Sequence, residues 1–265
     1  MNKMINKQLR KIEKEEKKIL NKKENKIFKE KLNPIMDKIE DKIPEKVKSA
    51  MESAFYKGFK LVFEKGTKYI EKTYNKEEIN IEHDVNNYHI DKNISKKSIK
   101  TMDKSPKKSR FFNKSIATVE GAGMGLLGMG LPDIPVLISI ILKTIYEISL
   151  NYGFDYENDN EKIYILNIIA AAVTTGELQE EYNTKVDKLA YNIDFNISIN
   201  ENLDEEMKKT SHILFNAMMV SKFVQGFAII GIIGSITNYK IVNKIGKYAS
   251  LKYKKRYINK KSKIL

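Results

Sequence analysis

The stretch "VEGAGMGLLGMGLPDIP", Val119–Pro135, decides the fold. It contains Gly123-x-Gly125-x-x-Gly128, the glycine spacing of a dinucleotide-binding loop. Such a loop needs a strand before it, a helix opening at its end, and an acid about 20 residues further on. "SIATVE", ending at Glu120, can pass for the strand. Only three residues separate Gly128 from Pro132, however, and Pro135 follows. A helix opening inside the loop would break almost at once, leaving no dipole to hold a pyrophosphate. The nearest suitably placed acid, Glu147, sits within the next apolar segment. The nucleotide reading fails on context. Close helix packing fits better: Gly121-x-x-x-Gly125 puts two positions without side chains on one helical face, and small residues let backbones approach in lipid or in a tight core. Gly226, Gly231 and Gly234 repeat the device near the C-terminus.

The flanking segments read as helices. "IPVLISIILKTIYEISL" (Ile134–Leu150) carries polar Ser139, Lys143 and Glu147 four residues apart in a mostly apolar run, which predicts a helix buried around most of its circumference with one narrow polar stripe. Ile163–Val173 is apolar nearly all round, and Ile213–Ile236 is a third apolar segment. A span needs about 20 apolar residues, and a centred charge costs at least roughly 2.5 kcal/mol, so no clear transmembrane helix is expected, and the glycine-rich helices either pack together or dip into the bilayer. Toward the N-terminus, Ile43–Thr73 predicts an amphipathic helix with Pro44 and Glu45 in its first turn and a face of Val47, Met51, Phe55, Phe59 and Phe63. Residues 1–33 read as a charged, solvated helical extension with a thin stripe at Ile5, Leu9, Ile12, Ile19 and Ile27. Residues 34–265 read as one helical domain with a flexible polar insertion at about 75–110. The expected fold is all-α: a multi-helix bundle with glycine-rich apolar central helices and a basic C-terminal helix.

The 265 residues carry a net charge of +14, unevenly distributed. From Asn238 to Leu265 there are ten Lys or Arg and no acid, whereas Glu177–Met207 holds nine acids against two lysines. The basic end is expected to face something anionic. On a helix, Tyr239, Val242, Gly246, Ala249, Tyr253 and Tyr257 fall along one face, with Lys240, Lys244, Lys247, Lys254, Lys255 and Arg256 supplying charge, a layout suited to an anionic lipid interface. Absent cysteine removes disulfides and thiolate chemistry. His83 and His89 lack a distinctive ligand spacing, so no metal site is expected, and no motif calls for a cofactor. The polar, basic N-terminus predicts no secretory leader.

"GMGLPDIPVLISIILKTIYEISLNYGFD" (Gly128–Asp155) resembles the EcsC family: a glycine-rich approach, Asp-Ile-Pro, an apolar helix with a basic residue before Thr-Ile, then Tyr-Gly-Phe-Asp. "KFVQGFAIIGIIGSITNYKIVNKIGKYASLKYKKRYI" is similar to the family's C-terminal part, with Ala228–Ile229 where the family usually has a proline. The polar stretches at 75–110 and 184–206 look like local expansions. The matching positions are Gly128, Asp133, Pro135, Lys143, Tyr152, Gly153, Asp155, Gly231, Asn238 and Tyr239. The resemblance implies a helical bacterial protein at the inner face of the cytoplasmic membrane. The family is named for a protein encoded beside an ABC-type exporter, so an ABC transporter or another membrane protein is an implied partner.

No nucleophile elbow, zinc-protease or Walker motif occurs, so the chain reads as non-enzymatic. Glu120, Asp133, Lys143 and Glu147 place charge in the most apolar region. Asp133 before Ile134-Pro135 suits a helix N-cap, and Lys143 and Glu147 can pair at i,i+4. The favoured reading is a membrane-surface accessory protein binding anionic lipid. The alternative is a hydrolase-like enzyme with Glu120 and Asp133 as its acid/base pair. A third reading is nucleic-acid binding by the basic tail, which lacks a recognisable reading module.

Overall fold

The computed structural model describes residues 3–20, 45–103, 133–224 and 235–264. Among these, every regular element is a helix, so the fold is an all-α bundle. The glycine-rich runs 119–132 and 225–234 lie outside the described residues, and with them Glu120, Gly128 and Gly231.

The core is built on two helices that are apolar around most of their surface. α6 (Asp133–Asn151) buries nearly every residue after Leu137, and α7 (Asp159–Val173) buries Ile163 through Val173 without interruption. By length and composition Ile134–Asn151 could cross a membrane, but 83% of it is buried inside the protein. Its apolar surface is already covered. Asn158 starts α7 by accepting from the Glu161 amide at 2.8 Å, and Gly153, at φ +76°, ends the preceding chain in the left-handed conformation glycine favours.

α2 (Glu45–Leu61) presents Met51, Phe55 and Phe59 to the core, as its spacing predicts. Close helix approach occurs here, at Gly58, where an added Cβ would lie 2.5 Å from Ile138 Cδ1. A π-helical turn at Val62–Gly66 then shifts the register before α3 (Thr67–Glu71), and the Thr67 hydroxyl returns to the Val62 carbonyl at 3.1 Å.

Two expectations are corrected. The polar stretch after Asn75 is helical rather than a flexible insertion: α4 (Lys76–Lys92) is capped by Asn75 and α5 (Lys96–Met102) by a reciprocal Ser95–Ser98 capping box. α4 and α5 bury Ile90, Ile99 and Met102. These three anchor the two helices to the core, whereas Ile81, Val85 and Tyr88 of α4 stay exposed. Likewise α1 (Lys3–Leu20) is docked rather than solvated, burying Ile5, Gln8, Ile12 and Glu16 at helical spacing.

α8 (Gly176–Asp194) and α9 (Leu203–Val224) pack around α7, and α10 (Ser235–Ile264) runs about 45 Å along the bundle. α10 is antiparallel to α7: Tyr253 and Arg256 meet Glu161, while Lys244 meets the Val173 carbonyl. α6 runs in the same sense as α10. Tyr152, just past its end, reaches the level of Asp103 and Lys254, and its first turn lies against Gly58 at the other end. The chain therefore enters α6 and α10 at one end of the molecule.

Candidate functional site

Ten basic residues in one helix repel each other unless something anionic meets them. The structure meets the distal ones from inside. Arg256 donates to both Glu161 oxygens at 2.8 Å and to Asp194 at 2.9 Å, and its guanidinium lies over Phe154 and Tyr164 at 4.3 and 4.9 Å. Burial disfavours its charge, but Glu161, with Asp194 and nearby tyrosines, outweighs that and raises its pKa further. Lys252 and Lys255 share Glu16 of α1 and Asp187 of α8. Lys254 reaches Asp103 at 2.5 Å, and Lys261 pairs with Asp91 of α4.

Three of the six residues expected to form an anionic-surface site, Lys254, Lys255 and Arg256, thus sit in internal ion pairs. Lys240, Lys244 and Lys247 are exposed on the first half of α10, with Lys244 also donating to the Val173 carbonyl at 3.5 Å. The stripe expected to face lipid faces the core instead: Val242, Ala249, Tyr253 and Tyr257 are buried, and of that row only Tyr239 is exposed. Tyr248, which suited a headgroup layer, is buried too. The buried hydroxyls explain this, because Tyr248, Tyr253 and Tyr257 bond Asn183, Glu161 and Asn87 at 2.7–2.8 Å. A tyrosine satisfied at its polar tip packs inside as well as any aliphatic residue.

Two family-motif residues from distant parts of the chain meet at a cleft between α1 and α10. Its volume is 490 Å³, with Tyr152 and Asp103 at the floor beside Lys254, and Tyr239, Asn243, Gly246 and Lys247 on the α10 wall. Lys11, Glu15 and Lys18 form the α1 wall. At the floor Tyr152 donates to Asp103 at 3.2 Å.

The remaining motif residues serve the scaffold. Pro135 lies in the first turn of α6, and Gly153 approaches His83 so closely that a Cβ would lie 2.4 Å from its ring. Asp155 accepts from the amides of Tyr156 and Glu157 at 2.6 and 3.1 Å. α6 includes Asp133 as its first residue; the side chains of Asp133 and Asn238, and with them the expected cap and the Glu120–Asp133 enzyme site, lie outside the described residues.

Lys143 and Glu147 do pair at i,i+4, at 3.9 Å, and Lys143 also donates to the Thr73 carbonyl at 3.3 Å. Burial pushes the Glu147 carboxyl up to about 8 against the pull of Lys143. Burial also lowers the Lys143 ammonium. Beside this pair, Tyr146 stacks on Tyr156 at 3.9 Å, and Tyr156 donates to Glu71 at 2.6 Å.

Sequence reasoning missed the acids that receive the tail: Glu16, Asp91, Asp103, Glu161, Asp187 and Asp194. The surplus of acids in Glu177–Met207 was the available signal, since Asp187 and Asp194 lie within it.

The EcsC protein family matches residues 6–258, from within α1 to the last turns of α10. Protein EcsC of Bacillus subtilis (strain 168) is 26% identical over 166 residues, 60% of this chain and 64% of that protein. The match thus spans less than two thirds of that relative's length. No solved structure matches the chain. A helical bundle matched almost end to end, with the Asp-Ile-Pro and Tyr-Gly-Phe-Asp motifs bracketing its central helix, belongs to the EcsC protein family.

Proposed function

We propose that the protein is a peripheral accessory protein that holds to anionic lipid at the inner face of the cell membrane. The observation that carries this reading is the division of charge along α10. Its distal cations are neutralised internally, whereas Lys240, Lys244 and Lys247 are exposed near the end where the chain enters α6 and α10. In sequence, the glycine-rich apolar runs 119–132 and 225–234 immediately precede those two helix starts. That combination suits a headgroup layer. With half the tail committed to the fold, the cationic contribution is smaller than ten basic residues would suggest: about 1 kcal/mol for each of three lysines, attenuated by salt.

The test is co-sedimentation of the full chain with vesicles of phosphatidylglycerol or of phosphatidylcholine alone. Binding to the anionic vesicles is expected, weakening with salt and lost when Lys240, Lys244 and Lys247 are replaced together by Gln. Equal recovery of both proteins at low salt sinks the reading. The protein partner we propose is an integral membrane protein of the ABC-exporter type, in line with the protein for which the family is named. Crosslinking in intact membranes, followed by identification of the captured subunit, tests it.

A further inference from the structure

The cleft between α1 and α10 carries a charge pattern that the fold does not use. At its floor, the two Asp103 oxygens each accept one bond, from Lys254 at 2.5 Å and from the Tyr152 hydroxyl at 3.2 Å. The Lys254 ammonium thereby offsets the Asp103 charge at the buried floor. On the α1 wall, Lys11 and Glu15 face each other at 3.6 Å. Lys18 of α1 and Lys247 of α10 are exposed on opposite walls, and neither has an ion-pair partner among the described residues. Asn243, half-buried between them in sequence and on the same wall as Lys247, adds an amide donor.

We propose that this cleft binds a phosphoryl group, bridged by Lys18 and Lys247. Two ammonium groups on separate helices call for an anion whose acceptor oxygens point in different directions. A tetrahedral phosphoryl group offers this, with three strong acceptor oxygens and more than one negative charge to meet two ammonium groups. The volume of 490 Å³ leaves room for a small organic body beside the phosphate, against Ile19, Leu251 and Tyr239. The ligand class is a phosphate ester, either soluble or the headgroup of a phospholipid. The site goes beyond the membrane reading, because Lys18 and the cleft floor take no part in that reading and only Lys247 is common to both.

The experiment titrates the full chain with inorganic phosphate, sn-glycerol 3-phosphate and phosphatidylglycerol vesicles, at ionic strength held constant with chloride. Thermal stability and affinity are the readouts. Lys18→Gln combined with Lys247→Gln is expected to weaken binding roughly tenfold or more, as loss of two charge-assisted contacts does. Lys14→Gln, on α1 but outside the cleft, should bind as wild type. A Lys18-dependent response to the soluble esters identifies a free ligand, and one confined to vesicles identifies a headgroup. A response to every probe that is indifferent to Lys18, or no response to any, overturns the proposal. Lys240→Gln with Lys244→Gln separates the two readings: it should reduce vesicle binding and leave the glycerol 3-phosphate response intact. Lys18-dependent binding of soluble ester without any vesicle binding would remove the membrane reading and leave the cleft standing.

Discussion

Arg256 shows how a surface-looking residue becomes interior. Its sequence neighbourhood, "KYKKRY", reads as a solvated basic run, but the guanidinium is clamped by Glu161 and Asp194 between two aromatic rings. Removing one partner leaves the other charge buried and uncompensated. Arg256→Met should therefore cost about 3–5 kcal/mol, read as a shift in the denaturation midpoint. Adding Glu161→Leu should recover much of that loss. A single substitution costing no more than a surface change would show the pair to be dispensable. Glu147 makes the opposite case, a carboxyl held by burial in its protonated form. Its pKa rises from the ordinary 4.5 to about 8 on folding, so between those values the folded state binds more protons than the unfolded one. Its contribution to stability is fully present below about pH 4.5 and is lost as pH climbs through about 8. Glu147→Gln should flatten that slope and stabilise the protein most at pH 8. Denaturant titrations at pH 5 and pH 8 check both statements; an unchanged slope in the variant would show that Glu147 does not titrate there.

Among the elements, α1 and α10 diverge furthest from their patterns. Glu16 falls in line with Ile5 and Ile12, where a charge interrupts the apolar stripe and argues against docking. In the structure that same charge docks the helix, through Lys252 and Lys255. Periodicity weighs each residue against its neighbours and cannot register a partner 236 residues away. Glu16→Gln should loosen α1 selectively, with amide exchange rising across residues 3–20 while α7 stays protected. Uniform protection in both proteins would mean that Ile5 and Ile12 hold the helix by themselves. The helices α2, α6 and α7 were legible because burial writes itself into local spacing. The close helix approach that the structure describes is at Gly58, while the glycine runs read for it lie outside the described residues. On α10 the helix and its stripe were both read, but the stripe's destination was not: a row of Val, Gly, Ala and Tyr serves a core as readily as an interface.

For the whole molecule, the +14 charge is best understood as two populations. The acid-rich stretch and the basic tail read from sequence as separate features, one awaiting an external anion. In the fold they partly answer each other, with Asp187 and Asp194 of α8 receiving Lys252, Lys255 and Arg256. The candidate cleft could not be seen in the sequence for the same reason: Lys18, Tyr152 and Lys247 are brought together only by tertiary packing. The Glu16 cluster also sets the order in which the chain can be completed. α1 leaves the ribosome well before its counter-charges are made, since Glu16 and Lys252 lie 236 residues apart. Until Lys252 and Lys255 emerge, Ile5 and Ile12 lack their ion-paired clasp, and α1 must wait for closure across that separation. Long-range closure of this kind slows folding and prolongs exposure of apolar surface during synthesis. A truncation ending before Lys252 therefore leaves Glu16 of α1 without the lysines that clasp it, and α1 open to chaperones and proteases.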